Sequence, residues 1–283
     1  MTWLYRVLVA ALAGIVALCA WGYGEATRAP VVVRYDVPLA DWPAGAPPLR
    51  IVQLSDVHFS FPDMPEARIA RIVAQANALK PDLIVISGDL MGGKIKDIDI
   101  GNLDVAVRPL TRLRARYGVF AVRGNHDEPY WTPIVLGRTP IRLLQDRWVD
   151  IGPIVLAGVD DITGPRNPAT APRRATAGAP PGKPLILLSH EPEFFQWLPP
   201  RVDLLIAGHT HGAQIVLPLI GWRRMGDYLD AHRRGLFAEH GQRMIVSSGL
   251  GTSIVPLRIG VPPELVVITL RPYSVGRNSG TDR

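Results

Sequence analysis

Apolar runs of strand length recur along the chain: Ile51–Leu54, Leu83–Ile86, Val119–Val122, Ile154–Ala157, Leu185–Leu188, Leu204–Ala207, Met244–Val246 and Leu265–Leu270. Each is bounded by turn residues or charge, which predicts short buried strands. Between the first two, Ile69, Ile72, Val73, Ala76 and Leu79 fall at helical spacing and Pro81 closes the segment, predicting an amphipathic helix. Residues 102–116 repeat the pattern with Leu103, Val107, Leu110 and Leu113, and Pro109 is expected to weaken or kink that helix. The first half thus alternates strand and helix, whereas the second is mostly strand. This order predicts an α/β sandwich around one continuous core. Residues 163–184, TGPRNPATAPRRATAGAPPGKP, predict a surface connection or a flexible lid.

The N-terminus follows another pattern. Val7–Ala20 reads VLVAALAGIVALCA, and the uncharged stretch extends to Gly24. Trp3 and Tyr5 flank it on one side, Trp21 and Tyr23 on the other. As helix, the distance from Trp3 to Trp21 is roughly 27 Å, close to a bilayer core of about 30 Å, and the aromatics fit an interface belt. Residues 1–24 therefore read as an uncleaved anchor in preference to a cleaved signal, because no small-residue cleavage site follows. Arg6 on one side and Arg28 with Arg34 on the other barely discriminate orientation. The short N-terminal flank favours a main domain outside the cytoplasm. Residues 25–47, rich in Pro and Ala, predict a linker with an edge strand at Val31–Val33; 48–272 form the folded domain and 273–283 a tail.

Composition narrows the function. A chain of 283 residues can bury a substantial core, and 27 Gly with 27 Pro fall short of a disordered composition. Lys plus Arg number 31 against 25 Asp plus Glu, a net +6. The basic residues come in scattered pairs, Arg173/Arg174, Arg223/Arg224 and Arg233/Arg234, without the long like-charge block of a nucleic-acid tail. Such a surface suits phosphate-bearing substrates or anionic headgroups. Cys19 is the only cysteine, which excludes an intrachain disulfide and a cysteine metal cluster.

Candidate chemistry sits where strands stop. Five apolar runs lead directly into Ser55-Asp56-Val57-His58, Ser87-Gly88-Asp89, Arg123-Gly124-Asn125-His126-Asp127, Ser189-His190-Glu191 and Gly208-His209-Thr210-His211. Each cluster alone has an ordinary reading: Ser-Gly-Asp and Asn-His-Asp as polar turns, His190 as a satisfied core histidine. Together, at carboxyl ends of strands where ligands collect in α/β sheets, they point to one site. The mixed oxygen and nitrogen donors suit Mn, Fe or Zn better than Ca or a structural zinc site. If LLIAGHTHGAQI (204–215) stays extended through its histidines, His209 and His211 face the same side roughly 6.5–7 Å apart, enough to bracket two ions.

The ordered set Asp56-x-His58, Gly88-Asp89, Gly124-Asn125-His126-Asp127, His190 and Gly208-His209-x-His211 resembles the calcineurin-like metallophosphoesterase superfamily over roughly residues 48–272. The resemblance implies a four-layer α-β-β-α sandwich. It implies two divalent ions, Mn in preference to Fe or Zn: Asp56, His58 and His211 on one, Asn125, His190 and His209 on the other, and Asp89 bridging. The implied reaction is phosphoester hydrolysis by metal-bridged hydroxide attack on phosphorus, with His126 as catalytic acid or as a stabiliser of charge on the phosphoryl group. Related phosphatases carry an aspartate three residues after the bridging one; here Gly92 stands there, which leaves the orienting partner of His126 open, with Asp127 one candidate.

The GVDD stretch at 158–161, SSGLGTSIVPLRIGVPPELVVITL at 247–270 and the apolar N-terminus resemble small membrane-associated bacterial phosphodiesterases, some of which hydrolyse the pyrophosphate of a UDP-diacylglucosamine lipid. With the apolar stretch Val216–Trp222 beside Arg223 and Arg224, this leads to the expectation of a lipid-linked phosphodiester or pyrophosphate at a bacterial inner membrane. The alternatives are a nuclease or a phosphodiesterase on a soluble substrate, and a non-catalytic membrane-tethered metal-binding scaffold. No nucleic-acid partner is expected, because the charge pattern offers no broad basic groove. Ligand-type residues at all seven metal positions weigh against a scaffold.

Overall fold

The computed structural model of the chain describes residues 2–92, 100–163, 167–217, 219–222 and 224–273. Its first half runs α1 (Thr2–Thr27), β1 (Val31–Leu39), β2 (Leu49–Leu54), α2 (Glu66–Ala78), β3 (Leu83–Ser87), α3 (Ile100–Leu110), β4 (Val119–Val122), α4 (Trp131–Leu136), β5 (Ile141–Leu143), β6 (Arg147–Asp150) and β7 (Val155–Gly158). The second runs α5 (Ala171–Thr176), β8 (Leu185–Leu188), β9 (Leu204–Ala207), β10 (Val216–Leu217), β11 (Gly221–Trp222), α6 (Asp227–Ala231), β12 (Gly235–Glu239), β13 (Gln242–Val246) and β14 (Glu264–Pro272).

Two six-stranded sheets carry the core, in the orders β1-β14-β2-β3-β4-β5 and β12-β13-β9-β8-β7-β6. Strand alternation decides which layer each side chain joins. On β3, Ile84 and Ile86 pack with Ile69, Ile72 and Val73 of α2 and Leu103 and Val107 of α3. Leu83 and Val85 point the other way, into the inter-sheet layer with Ile186, Leu188, Leu204 and Ile206. The far face of the second sheet is covered by Ala171 and Ala175 of α5 together with Phe194 and Phe195. The result is the α-β-β-α sandwich, with an apolar helix at its N-terminus. Because β2, β3 and β4 run parallel, as do β7, β8 and β9, their carboxyl ends collect along one edge of the two sheets.

Each of the eight apolar runs underlies a strand, although Ile154 itself precedes β7. The structure adds what the runs did not signal. The edge strand read at Val31–Val33 continues to Leu39, pairing parallel with β14 throughout. The continuation beyond Val33 carries exposed Arg34 and Asp36, the alternation of a strand covered on one side only. Within the stretch read as loop, Ala171–Thr176 form α5, with Pro172 in the first turn where its missing N–H costs nothing; residues 164–166 of that stretch lie outside the described residues. α3 ends at Leu110, one residue beyond Pro109, rather than continuing to 116.

Candidate metal centre

The seven sequence-predicted ligands meet where the strand ends converge. Asp56 and His58 follow β2, Asp89 follows β3, Asn125 follows β4, His190 follows β8, and His209 and His211 follow β9. Donor atoms of Asp56, His58, Asp89 and His211 all lie within 4.8 Å of one another, and all four residues are buried. His58 Nε2 is 3.0 Å from His211 Nε2, and Asp56 Oδ1 is 3.4 Å from His211 Nε2. A second group adjoins it: Asn125 Oδ1 lies 3.1 Å from His190 Nε2 and 3.0 Å from His209 Nδ1. Asp89 Oδ2 sits between the groups, 3.4 Å from His58 Nε2 and 3.2 Å from His190 Nε2.

Hydrogen bonds at the back of each ring aim the donors. His58 Nδ1 donates to Met91 O at 2.8 Å and His190 Nδ1 to Ser87 O at 2.8 Å, which turns each Nε2 toward the cluster. Asp89 Oδ1 accepts the His126 amide at 2.9 Å, and both Asp56 oxygens accept the His209 amide. Burial holds His58 and His209 down to about 4 and His211 well below its usual range, so these imidazoles are neutral, the ligating form. Burial opposes ionisation of Asp89, but the charge and hydrogen bond of His190, with His58 and His126, hold its carboxyl below the usual range. Burial raises Asp56 to about 6. His190 differs: burial opposes its charge, but the Asp89 carboxylate beside it holds it well above its usual range. A buried group of imidazoles and carboxylates converging within one ion's reach fits a divalent cation.

The histidine pair reaches its places by a different route from the expected one. β9 stops at Ala207, and His209 and His211 have φ of 71° and 52°, so the chain turns instead of staying extended. The turn, not strand alternation, sends His209 toward Asn125 and His211 toward His58. Asp56, His58 and Asp89 also have positive φ. Backbone held in this sparsely populated region clusters at functional sites, where surrounding contacts impose it.

Asp127 is not the orienting partner of His126. Its carboxylate accepts backbone amides, Leu90 N at 2.8 Å and Gly124 N at 2.9 Å, and thereby braces the loops of Asp89 and Asn125. Burial pushes its pKa up to about 7. The half-buried His126 ring lies 5.2 Å from the His58 ring, edge to face, and has no hydrogen bond among the described residues.

A family model for calcineurin-like phosphoesterase matches residues 49–213, the span that supplies every one of these ligands. The chain belongs to the calcineurin-like phosphoesterase family. It is 31% identical over 249 residues to an uncharacterized metallophosphoesterase of Aquifex aeolicus (strain VF5), covering 85% of this chain and 91% of that one. It is 32% identical over 248 residues to the uncharacterized metallophosphoesterase YkuE of Bacillus subtilis (strain 168), covering 81% of each. A transmembrane protein with metallophosphoesterase domain from Danio rerio is 30% identical over 288 residues, covering 94% of this chain but only 63% of that longer protein.

This phosphoesterase is also supported by residues beyond its 49–213 match, within the 247–270 stretch noted above for its resemblance alone and given no role at the site. β13 ends at Val246 and the chain passes directly under Asp56: Leu250 N donates to Ser55 O and Gly251 N to Asp56 O, at 3.0 and 2.7 Å. Gly249 has φ +73°, and a Cβ there would stand 2.7 Å from the Asp56 Cβ. Arg258, fully buried, donates to Gly251 O at 2.9 Å through Nε and to Ser248 O at 2.8 Å through Nη2. The signal available was Ser247-Ser248-Gly249, small and polar residues at a sixth strand end.

Beside His209 and His211 opens an apolar cleft of about 560 Å³, lined by Leu217, Ile220, Trp222, Met225, Ile254 and Val255. Val216–Trp222, read as an apolar loop, is the β10–β11 hairpin, with Pro218 and Arg223 outside the described residues. Arg224 is not free beside it, because it pairs with Asp227 and Asp230. The cation over Trp222 is Arg233, its guanidinium carbon 3.6 Å from the ring centre.

Proposed function

We propose that this phosphoesterase cleaves a phosphodiester or pyrophosphate in a lipid-linked substrate, with two divalent ions, Mn in preference to Fe or Zn. The observation that carries the reading is the position of Asp89 Oδ2, 3.4 Å from His58 Nε2 and 3.2 Å from His190 Nε2. One carboxylate oxygen between nitrogen donors of two different groups supports a pair of ions sharing it, because a shared anion offsets their repulsion. Asp56, His58 and His211 would hold the first, Asn125, His190 and His209 the second. Bound ions supply acidified water and neutralise charge on the phosphoryl group. The protein's own part is positioning and proton delivery. The His126 amide fixes Asp89, while the half-buried His126 ring protonates the leaving oxygen.

Lipid linkage rests on two neighbouring features. Trp3–Thr27 is long and apolar enough to cross a membrane, and we read it as an uncleaved anchor. The Danio rerio relative carries a transmembrane name of its own. The cleft beside His209 and His211 offers an apolar wall to whatever carries the phosphate.

The test uses purified full-length protein, an aryl phosphodiester and Mn²⁺, followed by membrane-lipid extracts analysed by mass spectrometry. A phosphate-bearing lipid should be consumed by the intact protein and spared by Asp89→Asn. Undiminished turnover in both Asp89→Asn and His209→Ala would sink the metal-centre mechanism; a lipid pool left untouched by an active enzyme would sink the lipid assignment.

A further inference from the structure

The C-terminal turn of α1 is docked on the domain. Gly22 is buried, its carbonyl accepts Arg258 N at 3.0 Å, and Ala26 is fully buried. A Cβ on Gly22 would meet Ile259 Cγ1 at 3.3 Å and Leu257 Cβ at 3.5 Å. Trp21 and Tyr23, the aromatics on the domain side of the apolar span, flank this contact and are exposed. Aromatics at the end of a membrane helix mark the interface, so the interface lies level with Leu257–Ile259.

Two apolar tips stand beside that level. Ile254 and Val255, in the loop leading to Leu257, are exposed, as are Leu219 and Ile220 at the turn of the β10–β11 hairpin. Leu219 is 108% exposed, as open as a side chain can be, and Ile220 is 81% exposed. Neither tip rests on a loose base. The Gln214 side chain donates to Ser253 O at 3.0 Å and Val255 O at 3.1 Å and accepts Ser253 N at 2.8 Å, tying the loop to the foot of the hairpin. Val216 N donates to Ile259 O at 2.8 Å. Trp222 donates to Asp230 at 2.9 Å under the Arg233 guanidinium. A fixed scaffold that holds large aliphatic side chains fully in water is unusual in a soluble protein and ordinary at a lipid surface.

We infer that the hairpin tip Leu219-Ile220 and the loop tip Ile254-Val255 form a second lipid-contacting surface, inserted in the same bilayer that holds α1. The cleft between them, which leads to His209 and His211, therefore opens onto the bilayer, and the apolar part of a membrane lipid occupies it while its phosphate reaches the histidines. The membrane contact rests on the anchor reading of α1, and the occupant of the cleft on the lipid-linked substrate proposed above.

The experiment reads lipid contact at single cysteines in the full-length protein, reconstituted in phosphatidylcholine–phosphatidylglycerol nanodiscs. The native Cys19, alone in the chain and exposed, reports on α1. In a Cys19→Ser background, Ile220→Cys and Ile254→Cys report on the two tips. Lys183→Cys reports on the amino ends of the strands, because Lys183 precedes β8 there. Each carries the same polarity-sensitive fluorophore and is challenged with nitroxide-labelled lipid. Quenching at Ile220→Cys and Ile254→Cys comparable to Cys19, with Lys183→Cys unaffected, supports the second contact. Tips that behave like Lys183→Cys while Cys19 is quenched overturn it and leave the anchor standing. An unquenched Cys19 overturns both.

Discussion

At the residue scale, Asp89 is the carboxylate that touches both ligand groups, and its two oxygens have different duties. Oδ2 faces His58 and His190, while Oδ1 is fixed by the His126 amide. Asp89→Asn keeps the shape and removes the charge. Turnover of an aryl phosphodiester should fall by more than about 100-fold, beyond the 10–100-fold typical of groups that only orient ligands, and titration with Mn²⁺ should show weakened binding. His126 gives a different outcome. Its ring stands beside the cluster without a hydrogen bond among the described residues, so His126→Gln should leave metal content intact while lowering kcat by about 10²–10⁴. The loss should shrink for substrates whose leaving group needs no proton. A series of aryl leaving groups of graded acidity, with metal content measured alongside, checks both halves.

At the element scale, the site depends on how strands end. The buried strands were legible because a strand covered on both faces must read as an unbroken apolar run, as LIVI at 83–86 and LLIA at 204–207 do. The donor residues were legible for a related reason, since polar groups directly after such runs fall at the edge where ligands gather. What happened after the run was not. Extended and left-handed backbone are both open to a histidine, and only contacts with distant loops put His209 and His211 into a turn. The edge strand beyond Val33 escaped because exposed Arg34 and Asp36 interrupt its pattern. The support of Asp56 from 249–251 escaped because it joins segments far apart in sequence. Gly249→Ala tests that support: at φ +73° and with a Cβ 2.7 Å from Asp56, alanine should cost about 1–3 kcal/mol of stability. Thermal unfolding and Mn²⁺ titration should both register it, whereas Gly182→Ala, also at positive φ but with open space around it, should spare the metal affinity.

At the scale of the whole molecule, the candidate metal centre joins the two sheets at one edge, with proposed ligands following β2, β3 and β4 on one side and β8 and β9 on the other. Ions held between two sheets stabilise the folded state by linkage. Restoring Mn²⁺ to 100 times its Kd after chelation adds about 2.7 kcal/mol, which for a chain of this size raises Tm by roughly 5–10 °C. Differential scanning fluorimetry with and without chelator reads this directly, and Asp89→Asn should abolish most of the shift. The apolar helix α1 belongs to the same body. Gly22→Leu would press on Ile259 and the Arg258 carbonyl and should cost about 1–3 kcal/mol, with a matching drop in Tm.

The docking of Gly22 on Arg258 sets a height. Arg258 holds Gly251, Gly251 donates to Asp56, and nothing in that chain of contacts is a free linker. With α1 in a bilayer, the histidines stand at one fixed elevation above the lipid plane and sweep it only by lateral diffusion. On the lipid-linked reading proposed above, such a mount would act as a ruler, selecting among anchored molecules by how far each phosphate rises from the surface, before any headgroup is recognised.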